Sequence, residues 1–167
     1  MSGYKTLFIV RHGKSSWDFA DIDDIDRPLL ERGISNAYEM SNRLKIKNLI
    51  PDCIVSSPAN RALHTANIFA RELEVPYNNF YINKNLYFDY EEKILDFIKN
   101  TDDKVGSLMI FGHNPTFTNF ANKFVKNCID NIPTAGIVIL QFSCERWKEI
   151  SKDNLKAEFF DFPKKNS

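Results

Sequence analysis

The sequence predicts a three-layer α/β/α sandwich built on a mainly parallel central sheet. Three observations predict it. Apolar runs of strand length recur along the chain, segments with helical spacing separate them, and the runs are continuously apolar, as in strands covered on both faces. The chain has 167 residues, enough for one domain with a substantial core and thin for two. Residues 1–162 read as that domain and 163–167 as a loose C-terminal tail.

The elements follow in order. Lys5 to Val10 is the first strand, and an acidic stretch from Trp17 to Pro28 reads as a solvated loop. Leu30 to Lys47 has helical period through Ile34, Ala37, Tyr38, Met40, Ser41 and Leu44, and Pro51-Asp52 closes it ahead of a buried strand at Cys53 to Ser56. Ser57-Pro58 is a helix-start signature, with Ser as N-cap and Pro in the first turn, and predicts a helix to about Glu74. A weaker strand at Asn79 to Ile82 precedes an amphipathic helix at Glu91 to Lys99. Ser107 to Phe111 is apolar strand, and Asn114-Pro115 opens a helix predicted over Thr116 to Lys126. Ile137 to Phe142 and an edge strand at Ala157 to Phe162 complete the sheet.

Composition narrows the function classes. Lys plus Arg and Asp plus Glu both number 22, so the overall charge offers no footprint for nucleic acid or a membrane surface. The N-terminus lacks the apolar core of a signal peptide, and no stretch is long enough to cross a bilayer. Cys53, Cys128 and Cys144 are widely spaced and odd in number, which suits a reducing cytoplasm and reads as packing rather than a disulfide framework or zinc site.

Three strand ends carry chemistry: Arg11-His12-Gly13, then Ser56-Ser57-Pro58 with Arg61, then Gly112-His113-Asn114. If those strands are neighbours in a parallel sheet, the polar clusters meet at the carboxyl edge, where open α/β sheets bind ligands. Arginines, whose planar forks bind phosphate oxygens bidentately, together with helix N-termini describe a phosphoryl site. A neutral His12 there is a candidate nucleophile, its tautomer fixed by what the other ring nitrogen donates to. Ser15, Ser57 and Asn114 are candidate substrate contacts, although turn and cap duty explains them equally well. His64 reads as lying outside the chemistry, Thr65 as bonding backbone, and Trp17 and Tyr87 as candidates for the rim. Thr134 and Ala135 are candidates to line the pocket through backbone N–H groups.

Those three motifs, in that order and each after a strand, resemble the histidine phosphatase (phosphoglycerate mutase-like) superfamily. The short length, with Lys14-Ser15-Ser16-Trp17 and Asp26-Arg27-Pro28-Leu29, resembles its SixA-type phosphohistidine phosphatase branch. The resemblance runs from the first strand to about Phe142. It implies a phosphoglycerate mutase-like fold, His12 as the phosphorylated nucleophile, and Arg11, Arg61 and His113 as the phosphate pocket, with no cofactor and no metal. Two departures stand out. Asn83 to Glu92 is too short for the cap domain that carries an acidic proton donor in larger members, leaving Asp89 as the candidate general acid and Asp26 as its alternative. Asp18 also stands where mutase relatives have Asn after the Trp.

An alkyl phosphate needs a general acid to leave, whereas a phosphoramidate with a protonated nitrogen does not. The reading is therefore a metal-independent phosphatase acting on a phosphorylated protein, through phosphohistidine, or on a small phosphorylated substrate. The alternatives are a small-molecule phosphomonoesterase or mutase and, in another class, a non-catalytic phosphate-binding module. A metal hydrolase using His12 and His113 is disfavoured by the cationic arginine beside the histidine.

Overall fold

In the computed structural model, residues 3–88 and 90–164 are described; Asp89, the candidate acid, and 165–167 of the predicted tail lie outside them. Six strands form one sheet in the order β3-β2-β4-β1-β5-β6: β1 (Tyr4–Arg11), β2 (Cys53–Ser56), β3 (Phe80–Ile82), β4 (Ser107–Gly112), β5 (Ile137–Ser143) and β6 (Leu155–Asp161). The four from β3 to β1 are parallel, and β5 and β6 are added antiparallel, so the sheet is mixed and mostly parallel as expected.

Helices cover both faces because alternate residues of each continuous apolar strand point to opposite sides. Phe8, Val10, Met109, Phe111, Ile54 and Ile137 pack against α1 (Glu31–Ile46) and α2 (Asn60–Glu72) through Ala37, Met40, Leu44, Ala66 and Phe69. Leu7, Ile9, Leu108, Ile110 and Val138 pack against α3 (Glu91–Lys99) and α4 (Thr116–Ala121) through Ile94, Ile98, Phe117 and Phe120. Full burial of side chains of this size contributes about 1.5–3 kcal/mol each before entropy is deducted.

Three local expectations change. The α2 helix starts at Asn60, because the Ser57 hydroxyl accepts the Ala59 N–H two residues on and closes a turn ahead of the helix. The α4 helix stops at Ala121 rather than reaching Lys126. There the Asn122 side chain turns away to bond both the N–H and the carbonyl of Ile129. Cys128 is exposed, so it is not a packing residue.

Register brings the three polar clusters together. Arg11 pairs with Gly112 and Ser56 with Phe111, so β2, β4 and β1 end side by side at one edge. Between β3 and α3 the described residues form only a 3-10 turn at Lys84–Leu86 and its flanks, with no cap domain.

Candidate active site

A cleft of about 300 Å³ opens at that edge, lined by Arg11, His12, Lys14, Ser15, Trp17, Asp24, Arg27, Arg61, His113, Asn114 and Thr134. A larger groove of about 450 Å³ lies elsewhere, along β6 and the 125–133 segment, and holds none of these side chains.

His12 leaves β1 with its N–H on the Gly112 carbonyl and its own carbonyl accepting the Ala135 N–H. The Ala135 amide is thus already engaged, and of that turn Thr134 lines the cleft. The Nδ1 atom of His12 lies 2.6 Å from the Gly13 carbonyl oxygen. A carbonyl only accepts, so Nδ1 carries the proton and Nε2 keeps its lone pair. Burial pushes the His12 pKa down to about 3; the Gly13 bond opposes this, and the charges of Arg61, Arg11 and Arg27 add to it. The ring is neutral at physiological pH.

Gly13 is needed for contact. A Cβ there would lie 2.7 Å from the Gly33 carbonyl oxygen, and one on Gly33 would lie 2.2 Å from the Lys14 oxygen. The chain after β1 therefore presses against the first turn of α1, while the Gly13 N–H donates to Thr65 Oγ1 and Thr65 donates to the Arg61 carbonyl.

His113 faces His12 with ring centroids 5.2 Å apart. Its Nε2 lies 2.7 Å from Ser57 Oγ. Because Ser57 Oγ already accepts from Ala59, its own proton is best placed on Nε2, which leaves Nδ1 of His113 as a protonated donor. That Nδ1 and the Nε of Arg11 are the buried side-chain atoms with no hydrogen-bond partner among the described residues. Burial first, then the neighbouring His12 and the Arg61 charge, push the His113 pKa down to about 3. Ser57 itself is fully buried behind His113 and absent from the cleft wall, so the substrate contact expected of it becomes an orienting bond.

The arginines arrive from three elements. Arg11 ends β1 and donates through Nη1 to the Ile132 carbonyl at 2.8 Å, and burial lowers its pKa. Arg61 sits in the first turn of α2 and donates Nη1 to the Asp24 carbonyl at 2.7 Å and Nη2 to Asp24 Oδ2 at 3.0 Å. Arg27, which the motif reading did not assign, donates Nε to the Ser16 carbonyl, Nη1 to Asp24 Oδ1 and Nη2 to Ser15 Oγ. Its guanidinium lies 3.4 Å from the ring centroid of the exposed Trp17. The Ser15–Leu29 bridge and the bonds Ser16 N–H to Pro28 and Leu30 N–H to Lys14 close the acidic loop and return Arg27 to the cleft.

Asn114 lines the cleft, but its amide serves the scaffold. Nδ2 donates to Asn131 and Ile132, and Oδ1 accepts from the Thr118 N–H and hydroxyl. The acidic loop is exposed at Asp18, Asp21, Asp23 and Asp26, as a solvated loop should be, and Asp26 lies outside the cleft wall. The cleft carboxylate is Asp24, and Tyr87 donates its hydroxyl to Asp24 Oδ2 at 2.8 Å while its ring meets His113 edge-on. The Asp24–Arg27 spacing of three residues was the available signal for that pair. Nothing in the sequence pointed to Tyr87 as its partner. His64 is half-buried and outside the cleft, and no cluster of potential metal ligands occurs among the described residues. No helix of the described residues is long and apolar enough to cross a membrane.

A carboxyl-edge cleft of buried, uncharged histidines among guanidiniums has the chemistry to hold an oxyanion. The profile of the histidine phosphatase superfamily (branch 1) matches residues 7–80 of this chain. An uncharacterized chloroplastic protein of Arabidopsis thaliana is 25% identical over 155 residues, covering 87% of this chain and 70% of that protein. Phosphoglycerate mutase 1 of Saccharomyces cerevisiae is 31% identical over 124 residues, 71% of this chain but 46% of the mutase. The match to the 2,3-bisphosphoglycerate-dependent phosphoglycerate mutase of Bifidobacterium longum is shorter still, reaching 26% of that enzyme. Among solved structures, a candidate phosphohistidine phosphatase SixA from Agrobacterium tumefaciens superposes with a TM-score of 0.81 at 23% identity, over 96% of this chain and 99% of that one. The protein histidine phosphatase SixA complexed with tungstate gives 0.75 at 21% identity, over 94% of each chain. At such identities the likeness establishes the fold, which is that of the SixA structures, with no cap domain among the described residues.

Proposed function

We propose that this chain is a phosphatase that takes a phosphoryl group onto Nε2 of His12 and releases it to water, acting on protein phosphohistidine. The observation that carries the reading is the 2.6 Å contact from His12 Nδ1 to the Gly13 carbonyl, which leaves a neutral ring with its lone pair on Nε2. Such a nitrogen attacks phosphorus as the P–N bond of the substrate breaks. The departing imidazole, protonated by solvent on its other nitrogen, takes the electron pair and leaves neutral. Water then attacks the phosphohistidine, the new P–N bond breaks with its pair returning to Nε2, and the water proton passes to solvent. Arg11 Nε, His113 Nδ1 and the free N–H groups of Arg27 and Arg61 stabilise the equatorial oxygens throughout.

The phosphohistidine reading rests on the proton supply. Burial works to raise the Asp24 pKa, but the Tyr87 hydroxyl and the Arg61 and Arg27 guanidiniums outweigh it and hold the carboxyl below its usual range. An ionised Asp24 donates no proton to an alkoxide, whereas a protonated imidazole leaves without one. The absence of a cap among the described residues and the exposed Trp17 also leave room for a protein-borne substrate.

The test is turnover of a phosphohistidine peptide and of phenyl phosphate, with and without chelator, beside His12→Ala. The expected result is chelator-insensitive turnover favouring the peptide, and none in the variant. Turnover of neither substrate by the wild type, or wild-type turnover in His12→Ala, overturns the proposal. Chelator-sensitive turnover overturns its metal-free form.

A further inference from the structure

Among the described residues, one carboxylate lines a cleft that otherwise carries Arg11, Lys14, Arg27 and Arg61, and that carboxylate is bonded to two of the four cations. Asp24 Oδ1 accepts from Arg27, and Oδ2 accepts from Arg61 and from Tyr87. The Asp24 backbone carbonyl takes a second Arg61 nitrogen, so both terminal nitrogens of that guanidinium are engaged on one acidic residue. These nitrogens belong to the groups that a phosphoryl dianion would use. A scaffold ion pair would sit behind the arginines. This one stands in the cleft wall with its carboxylate side chain 49% exposed.

We propose that Asp24 is a specificity-determining residue that competes with the phosphoryl group for Arg27 and Arg61. It thereby weakens the hold on product phosphate and disfavours substrates carrying a second anionic group beside the phosphoryl. The inference rests on the functional reading above only in taking the cleft as the phosphoryl site. Two physical effects act in the same direction. Asp24 occupies N–H donors, and its negative charge lowers the local potential that every further charge on a ligand would feel. A second phosphate adjoining the first experiences this repulsion more than once, so the penalty grows with ligand charge. The substrate class that fits is a single phosphoryl group on a neutral or cationic carrier. A vicinal bisphosphate does not fit. The Tyr87 hydroxyl secures the arrangement through its bond to Asp24 Oδ2, its ring meeting that of His113 edge-on.

The test is calorimetric titration of the full chain with inorganic phosphate and with methylenediphosphonate, a non-hydrolysable diphosphate analogue that sets a second anionic group beside the first. Wild type, Asp24→Asn and Asp24→Glu are compared. Asp24→Asn should bind phosphate about tenfold more tightly, equivalent to about 1.4 kcal/mol, the modest size reflecting solvent screening of a half-exposed group. Its gain for the diphosphonate should be larger than its gain for phosphate. Asp24→Glu, which moves the carboxylate but keeps its charge, should stay within about threefold of wild type for both ligands, under about 0.7 kcal/mol. Turnover of the asparagine variant should fall in kcat and in KM together, since retained product slows release.

Unchanged or weaker phosphate binding in Asp24→Asn overturns the inference, because Asp24 would then only align the arginines. An equal gain in Asp24→Glu overturns it too, since charge would not be the cause. The titration needs no turnover, so the two readings separate. A wild type that hydrolyses the phosphohistidine peptide while Asp24→Asn gains no affinity leaves the proposed function standing. A wild type that hydrolyses nothing removes the function while the binding arm still decides the role of Asp24.

Discussion

Removing the Ser57 hydroxyl is the most informative change outside the cleft wall. Ser57 is fully buried, and its Oγ lies 2.7 Å from His113 Nε2 and 3.1 Å from the Ala59 N–H. In Ser57→Ala the ring nitrogen loses its buried partner at a cost of about 1–3 kcal/mol. For a chain of this size that corresponds to a Tm lowered by roughly 2–4 °C per kcal/mol. The catalytic consequence is separate. Without Ser57 nothing holds the proton on Nδ1 of His113, and the tautomer that offers Nδ1–H to a phosphoryl oxygen loses its advantage. Outright loss of one preorganised oxyanion donor costs about 2.7–4 kcal/mol, so mere loss of its orientation should cost less, about 10- to 100-fold in kcat/KM. Turnover of a phosphohistidine peptide, measured well below the melting transition, is the assay. A variant that melts lower but keeps wild-type kcat/KM would refute the assignment of Ser57 as the residue that positions His113.

Gly13→Ala places a Cβ 2.7 Å from the Gly33 carbonyl oxygen, a backbone atom held by α1; the displaced Gly13 carbonyl should release His12 Nδ1, and kcat should fall at least about tenfold while the circular dichroism spectrum is retained. Arg61→Lys should lower kcat/KM by about 100-fold, because an ammonium cannot reproduce a fork that spans the Asp24 carbonyl and carboxylate while lining the cleft; an unchanged rate would place Arg61 outside the reaction. Acid should destabilise the fold through the buried histidines. With folded pKa values of about 3 against about 6.5 in the unfolded chain, the unfolded state binds more protons between those limits, so stability rises with pH across the window and is lost as pH falls below about 6.5. Urea unfolding from pH 7 to pH 5 should show this slope, at most about 1.4 kcal/mol per pH unit for each histidine, and His113→Asn should reduce it.

The sheet and the outline of the cleft were legible because they rest on strong local signals. Leu7 to Val10 and Leu108 to Phe111 are continuous apolar runs, the first followed at once by Arg11-His12 and the second by Gly112-His113, and parallel pairing places such ends together. Arg61 was legible from its place in the first turn of a helix that follows a strand. The loop contribution was not. Asp24 meets Arg61 across 37 positions and Tyr87 across 63, and such pairings leave no periodic trace in the chain. An acidic run gives no sign of which carboxylate turns to the cleft arginines, so Asp24, itself exposed, was indistinguishable from its four neighbours. Ser57 misled for a related reason. A serine before a proline is a fair cap signal, but a buried imidazole 56 positions away competes for the same hydroxyl, and tertiary structure decides the outcome.

Proton supply connects these observations to the chemistry. Histidine pKa values pushed to about 3 mean that neither ring is a reservoir of protons near neutrality, and the ion pairs around Asp24 deny that role to the cleft carboxylate. A site so arranged is rich in hydrogen-bond donors for a phosphoryl oxygen and poor in acids for a leaving group. Its rate should therefore depend steeply on the basicity of what departs. A series of aryl phosphates measured beside a phosphoramidate gives that dependence directly. A steep fall in kcat/KM with rising leaving-group pKa, together with fast phosphoramidate cleavage, is the expected outcome. A flat dependence would require a proton donor in reach of the cleft and would return Asp89 to consideration as the acid.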